Sequence, residues 1–204
     1  MQNSTCTVFI LEGGTNMNKQ IDITGVTMTT HRLVLRPWKE SDLEDFYAYA
    51  SVDGVGQMAG WTPHKDQNES SRILNHFIED KHCFALEYEG HVIGSLGIEE
   101  YNETLFPQLD TLQGREIGYV LSKSHWGKGL MTEAVKAVIE YLFSDVKLDF
   151  ITAGHFTHNN RSQRVIEKCG FRYVTTAPYE TRFNTIEESM EYILTKQEWR
   201  KVQC

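Results

Sequence analysis

Eight residues, Ser122-Lys123-Ser124-His125-Trp126-Gly127-Lys128-Gly129, separate two segments of opposite periodicity. Before them, Glu116-Ile117-Gly118-Tyr119-Val120-Leu121 is rich in β-branched and aromatic residues, as a strand is. After them, Leu130, Ala134, Val138 and Leu142, with Met131 and Val135, recur at spacing three and four and mark one helix face. A strand passed through a glycine turn into a helix commits the chain to α/β layering. The turn also carries chemistry. Backbone N–H groups of a first helical turn have no internal acceptor and lie at the positive end of the helix dipole. Glycines remove the Cβ atoms that would hold a bulky anion away, so the turn forms a phosphate cradle, with Lys128 as a mobile positive charge. Glycines kept for tight packing alone would read the same. Two other phosphate loops do not fit: a Walker loop needs Ser or Thr where Gly129 stands, and a dinucleotide fingerprint needs glycine where Thr132 stands.

The rest of the chain alternates in the same way. Leu33–Arg36 reads as a strand closed by Pro37, and Ser41-Asp42-Leu43-Glu44 as a capping box opening a helix through Ala50. Asp53–Pro63 is a glycine-rich loop, and Asn68–Glu79 a second helix. Cys83–Tyr88 and His91–Ile98 form a hairpin across Glu89-Gly90, and Glu99–Gly114 reads as a loop. Phe150–Phe156 is a strand, Arg161–Lys168 a helix stopped by Gly170, and Phe171–Thr176 and Met190–Leu194 are strands.

With 204 residues, 40% apolar and 24% charged, one packed domain is expected, from residue 30 to 204. Residues 1–29, rich in Thr and poor in charge, read as a poorly packed extension with a short strand at Thr7–Leu11; Met28 could serve as an alternative start. The net charge of −8 does not suit a phosphate backbone, so no nucleic-acid partner is expected. No apolar run approaches the ~18 residues of a membrane span, and no secretory signal stands at the start. Cys6, Cys83, Cys169 and Cys204 lie far apart with no CxxC pair, which points to a reducing cytoplasm without disulfides or zinc.

A second motif follows the glycine turn. In Asn159-Asn160-Arg161-Ser162 through Glu167-Lys168-Cys169-Gly170-Phe171, Asn159 is an N-cap and Gly170 a left-handed C-cap. Asn159 and Ser162 present an amide and a hydroxyl at the helix mouth; capping alone would explain both. Taken with Trp126-Gly127-Lys128-Gly129, Thr30–Pro37, Ile93–Gly97 and Glu116–Tyr119, the order resembles the GNAT N-acetyltransferase superfamily. Within it the chain is similar to the branch that acetylates ribosomal-protein alanine and serine N-termini. The resemblance covers about Thr30 to Lys201.

The resemblance implies the GNAT fold: a mixed, mostly antiparallel central sheet of about six to seven strands flanked by about four helices. It implies acetyl-CoA as cosubstrate and no metal. Trp126, Gly127, Lys128, Gly129, Leu130 and Met131 would bind the pyrophosphate, Val120 and Leu121 the pantetheine, and Asn159 and Ser162 the thiol end. The acceptor is a primary amine, a protein N-terminus or a small molecule such as a polyamine, and the protein a monomer or homodimer. A non-catalytic acyl-CoA-binding module is the alternative. Ser124 stands where relatives often carry Gln or Arg.

Acetyl transfer needs a neutral amine, and an α-amino group near pKa 7.8 loses its proton far more readily than a lysine near 10.4. Glu116 is the candidate base; pairing with Arg115 is its bland alternative, and Glu99 and Glu100 are second choices. Many family members protonate the departing thiol with a tyrosine, where this chain has Ile166, so Ser162 or water substitutes, or no dedicated acid exists. His155 and His158 lack a third ligand for a metal and line the amine side or are merely polar. Cys169 reads as a small buried residue. Met58, Trp61 and Tyr101 are candidates for the acceptor wall.

Overall fold

The computed structural model describes residues 17–203. Eight strands form one sheet in the order β1-β2-β3-β4-β5-β6-β8-β7. They are β1 (Met28–Thr29), β2 (Leu33–Pro37), β3 (Cys83–Tyr88), β4 (His91–Glu99), β5 (Gly114–Leu121), β6 (Phe150–Phe156), β7 (Arg172–Glu180) and β8 (Ile186–Thr195). Five helices flank them: α1 (Leu43–Ala50), α2 (Gln67–Asp80), α3 (Leu130–Ser144), α4 (Asn160–Lys168) and α5 (Lys196–Gln203). Neighbours pair antiparallel except β5 and β6, which are parallel. The mixed α/β architecture is the expected one, with slightly more strands and one more helix.

Local chemistry sets most boundaries. Glu89 and Gly90 both take positive φ, 52° and 83°, which the β3–β4 turn requires. The expected cap at Ser41 is not made. Asp42 instead accepts from Lys39 N at 2.8 Å and from both Arg36 guanidinium termini at 2.8 and 2.9 Å, and a short 3₁₀ turn precedes α1. Helix α5 opens with a reciprocal box: the Thr195 amide donates to Glu198 at 2.8 Å, and the Glu198 amide to Thr195 Oγ1 at 3.2 Å.

The sheet separates two apolar layers. Leu33, Leu35, Leu96, Ile98, Ile117 and Leu194 pack under α3, whose buried face includes Ala134, Val135, Val138 and Leu142. On the other side Trp38, Phe46, Tyr49, Leu74, Cys83 and Ala85 pack with α1 and α2. The poorly packed extension does not describe residues 17–29: Ile21 and Ile23 are buried in the main core. Gly114 N donates to Met17 O at 3.0 Å, Arg115 Nε to Lys19 O at 2.6 Å, and β1 adds an edge to β2. The strand expected at Thr7–Leu11 lies outside the described residues.

Candidate active site

Strands β5 and β6 pair only at Gly114–Phe150, Arg115–Ile151 and Glu116–Thr152, then part. The gap opens into a cavity of about 1010 Å³. Ser122 N donates to Ile93 O at 2.7 Å, and the register pairs Val120 with Ser95 and Gly118 with Gly97. Peptide groups of residues 116, 118 and 120 therefore bond β4, and alternation turns those of Ile117, Tyr119 and Leu121 toward the gap. The Val120 carbonyl points at Gly94 on β4. So of the two expected strand-end residues, Leu121 presents its peptide to the gap and Val120 does not; Tyr119, which sequence reasoning missed, does.

The glycine turn lies at one end of this gap. Gly127 and Gly129 have φ of 76° and 77°, the left-handed region that glycine enters without strain. The first bond into α3 runs from Glu133 N to Gly129 O, 3.1 Å. That leaves the N–H groups of Leu130, Met131 and Thr132, all at the cavity, as donors without a helical acceptor. Lys128 is exposed and outside the cavity lining, and its carbonyl accepts from Arg32 at 2.9 Å. Trp126 pins the turn to the strand, with its indole N–H 2.8 Å from Leu121 O, and the Arg161 guanidinium lies 4.7 Å from its ring centre. Arg161, Arg164 and Lys168 of α4 line the same half of the cavity. Among the described residues Ser124 bonds close neighbours, Ser122 at 3.1 Å and His125 at 3.0 Å.

Helix α4 forms the facing wall. Asn159 Oδ1 accepts from Ser162 N at 3.2 Å, and its amide donates to Met58 O at 3.4 Å. Gly170, at φ 89°, closes the helix, with Gly170 N to Glu167 O at 3.0 Å and Phe171 N to Ile166 O at 3.3 Å. Ile166 is 1% exposed and belongs to the core, so the family's tyrosine position holds no acid here. The Tyr119 hydroxyl instead reaches Ser162 Oγ at 2.9 Å. Burial raises the Tyr119 pKa, keeping the phenol neutral.

Glu116 lies at the fork of the gap. Burial, with Glu191 and then Glu99 as like charges, pushes its carboxyl up to about 8. Arg115 does not pair with it; it points to the other sheet face, with Glu100 at 3.9 Å. Glu99, Glu100 and Glu191 also line the cavity. Glu191 was missed because its strand reads as a short apolar run.

Other candidates divide. Met58 and Trp61 line the cavity. Tyr101 does not: it is buried against Phe106 and Phe150. His155 spends both ring nitrogens within the fold, Nδ1 on Phe156 O at 2.8 Å and Nε2 on the Tyr192 hydroxyl at 3.2 Å. His158 lies 3.8 Å from Glu187. Among the described residues no three His, Cys, Asp or Glu side chains group as a metal site would. Burial pushes the Cys169 thiol up to about 11, so it is a poor nucleophile.

A parted pair of parallel strands, a glycine turn and a capped helix around one cavity match a known domain: residues 32–172 fit the model of the acetyltransferase (GNAT) domain. The chain belongs to the GNAT acetyltransferase family. Over 151 residues it is 31% identical to the uncharacterized N-acetyltransferase p20 of Bacillus licheniformis, covering 72% of this chain and 82% of that protein. An 82-residue stretch is 43% identical to the probable N-acetyltransferase YjcK of Bacillus subtilis, but spans only 45% of that protein. The [ribosomal protein uS5]-alanine N-acetyltransferase of Escherichia coli is 25% identical over 158 residues, 72% of this chain and 78% of that one. In structure, a GNAT acetyltransferase from Bacillus anthracis superposes with a TM-score of 0.73 at 21% identity, over 84% of this chain and 99% of that one. Mycobacterium smegmatis RimJ in complex with CoA-disulfide has the same fold, with a TM-score of 0.65 at 21% identity, over 81% and 83%.

GNAT acetyltransferases use acetyl-CoA, and the residues present fit it. The free donors of Leu130–Thr132 and the α4 cations suit the phosphates, and the Tyr119 carbonyl and Leu121 N–H, both turned toward the gap, suit the amide-bearing arm. The chain is an acyltransferase of N-acetyltransferase type. No described helix is long and apolar enough to cross a membrane.

Proposed function

We propose that this N-acetyltransferase acetylates protein N-terminal α-amino groups by direct transfer, with Glu116 as base and Ser162 as acid. The carrying observation is the Glu116 carboxyl, held at about 8 at the fork of the cavity. An α-ammonium titrates near the same value, so proton transfer between the two is close to thermoneutral, as general-base catalysis favours. The uS5-alanine relative supports the same acceptor.

Acetyl-CoA supplies an acetyl group activated as a thioester. Ionised Glu116 takes one proton from the entering ammonium, which the arriving positive charge favours. The neutral nitrogen attacks the acetyl carbon, the C–N bond forms and the C–S bond breaks. The peptide N–H of Tyr119, turned into the gap, is the donor placed to stabilise charge on the acetyl oxygen. Ser162 gives its hydroxyl proton to the departing sulfur, and the nitrogen's second proton restores the balance through Tyr119, Ser162 and solvent. Holding amine and acetyl group in line within one cavity contributes the rest.

The test is free-thiol release by the full chain with acetyl-CoA and a panel of N-terminal peptides, lysine side-chain analogues and small amines. Turnover highest with α-amines supports the reading. Saturable acetyl-CoA binding with no turnover on any amine would make the chain a binding module and overturn it.

A further inference from the structure

Strand alternation puts Gly97 and Glu99 of β4, Glu116 and Gly118 of β5, Gly154 of β6 and Glu191 of β8 on one sheet face. A Cβ on Gly154 would stand 2.9 and 3.0 Å from the two Glu191 carboxylate oxygens, so that carboxylate lies across Gly154. A Cβ on Gly97 would strike the Glu99 carboxylate in the same way. A Cβ on Gly118 would meet nothing within 4 Å. Two carboxylates laid over glycines thus flank an open floor, with Glu116 beside them.

The bowl is unbalanced in charge. Glu191 is 7% exposed, lines the cavity and pairs with no Lys, Arg or His among the described residues. Its polar neighbours are the Ser189 hydroxyl and His155. Among the described residues no Lys or Arg pairs with Glu116 or Glu99; the His82 ring lies 3.7 Å from Glu99. The cavity's cations, Arg161, Arg164 and Lys168 on α4 and Arg182 in the β7–β8 turn, form no ion pair with any of the three. An unpaired buried carboxylate is costly, and a fold that retains one in a cavity offers it to a ligand. The three do not converge as metal ligands do, so they are spaced for separate charges rather than one ion.

We infer that the acceptor carries two positive charges: the reacting ammonium at Glu116 and a second cationic group, ammonium or guanidinium, held by Glu191. This inference rests on the acetyl-transfer reading and narrows its acceptor. Two sources share that chemistry: a free diamine, and a peptide whose N-terminal residues include a basic side chain.

The experiment compares matched pairs on the full chain: 1,4-diaminobutane against 1-aminobutane, and Ala-Lys against Ala-norleucine peptides. Each is followed by thiol release and, on CoA-loaded protein, by calorimetric binding. At least one pair should favour the dication tenfold or more in kcat/KM or in affinity, and which pair does so names the source. In Glu191→Gln that ratio should collapse toward one, with acetyl-CoA affinity reporting an intact fold; Glu191→Asp should restore part of it. Ratios near one in both pairs and both readouts, or a ratio unchanged in Glu191→Gln, overturn the inference. Loss of turnover with every amine, while the binding ratio stands, would sink the acetyl-transfer reading and leave this inference in place.

Discussion

The Tyr119 hydroxyl lies 2.9 Å from Ser162 Oγ and 3.2 Å from the Ser162 carbonyl, joining a strand to a helix 43 positions further on. In the proposed mechanism this pair supplies the proton to the departing thiol. Ser162→Ala should lower kcat by about 10–100-fold and Tyr119→Phe by about tenfold, with acetyl-CoA affinity little changed. If the two act as one unit, the double variant should be scarcely slower than Ser162→Ala, whereas independent roles would multiply. Steady-state kinetics of the four proteins distinguishes the cases.

Gly154 sits where a methyl group would press on Glu191 Oε2 at 2.9 Å and Ser189 Oγ at 3.1 Å. Its φ is not positive, so alanine is disfavoured by crowding and not by backbone strain. Gly154→Ala should push the Glu191 carboxylate aside and raise the acceptor KM about tenfold, equivalent to about 1.4 kcal/mol. Acetyl-CoA affinity, read by calorimetry, should stay within about twofold.

Glu116 also leaves a mark on stability. Its folded pKa of about 8 stands above the ordinary carboxyl value of 4.5. Between those values the folded state binds the proton that the unfolded chain has released, so stability falls as pH rises through this window and levels off above 8. Glu116→Gln removes the penalty. The variant should match wild type near pH 4.5 and exceed it at pH 8.5 by on the order of 4 kcal/mol. Denaturant unfolding at the two pH values reads this directly; equal stability at both would contradict the burial assigned to Glu116.

What the sequence discloses is what local chemistry encodes. The glycine turn, helix α3 and the Asn159 and Gly170 caps of α4 are legible because each depends on residues within a few positions. The strap of residues 17–29 is not, because its Ile21 and Ile23 find their partners across the core. Tyr119 and Ser162 meet only after the sheet forms. Glu191 is masked by the apolar run around it, although glycine inside strands at 97 and 154 signals close approach by other groups. Helix α5 could have been found: Thr195-Lys196-Gln197-Glu198 has the same capping form that misled at Ser41, where the Arg36 guanidinium claims Asp42.

The central claim is that Glu116 takes the proton of the attacking ammonium, and the pH profile of kcat/KM for a peptide acceptor tests it most directly. Wild type needs the carboxylate ionised and the α-amine still protonated, so its profile should be a bell with its maximum near pH 8. Glu116→Gln should be lower by about 10²–10⁴-fold at that maximum, and should depend on free amine alone, rising to a plateau without a descending limb. A wild-type profile of that second shape, or a Glu116→Gln variant as fast as wild type at pH 8, would contradict the account.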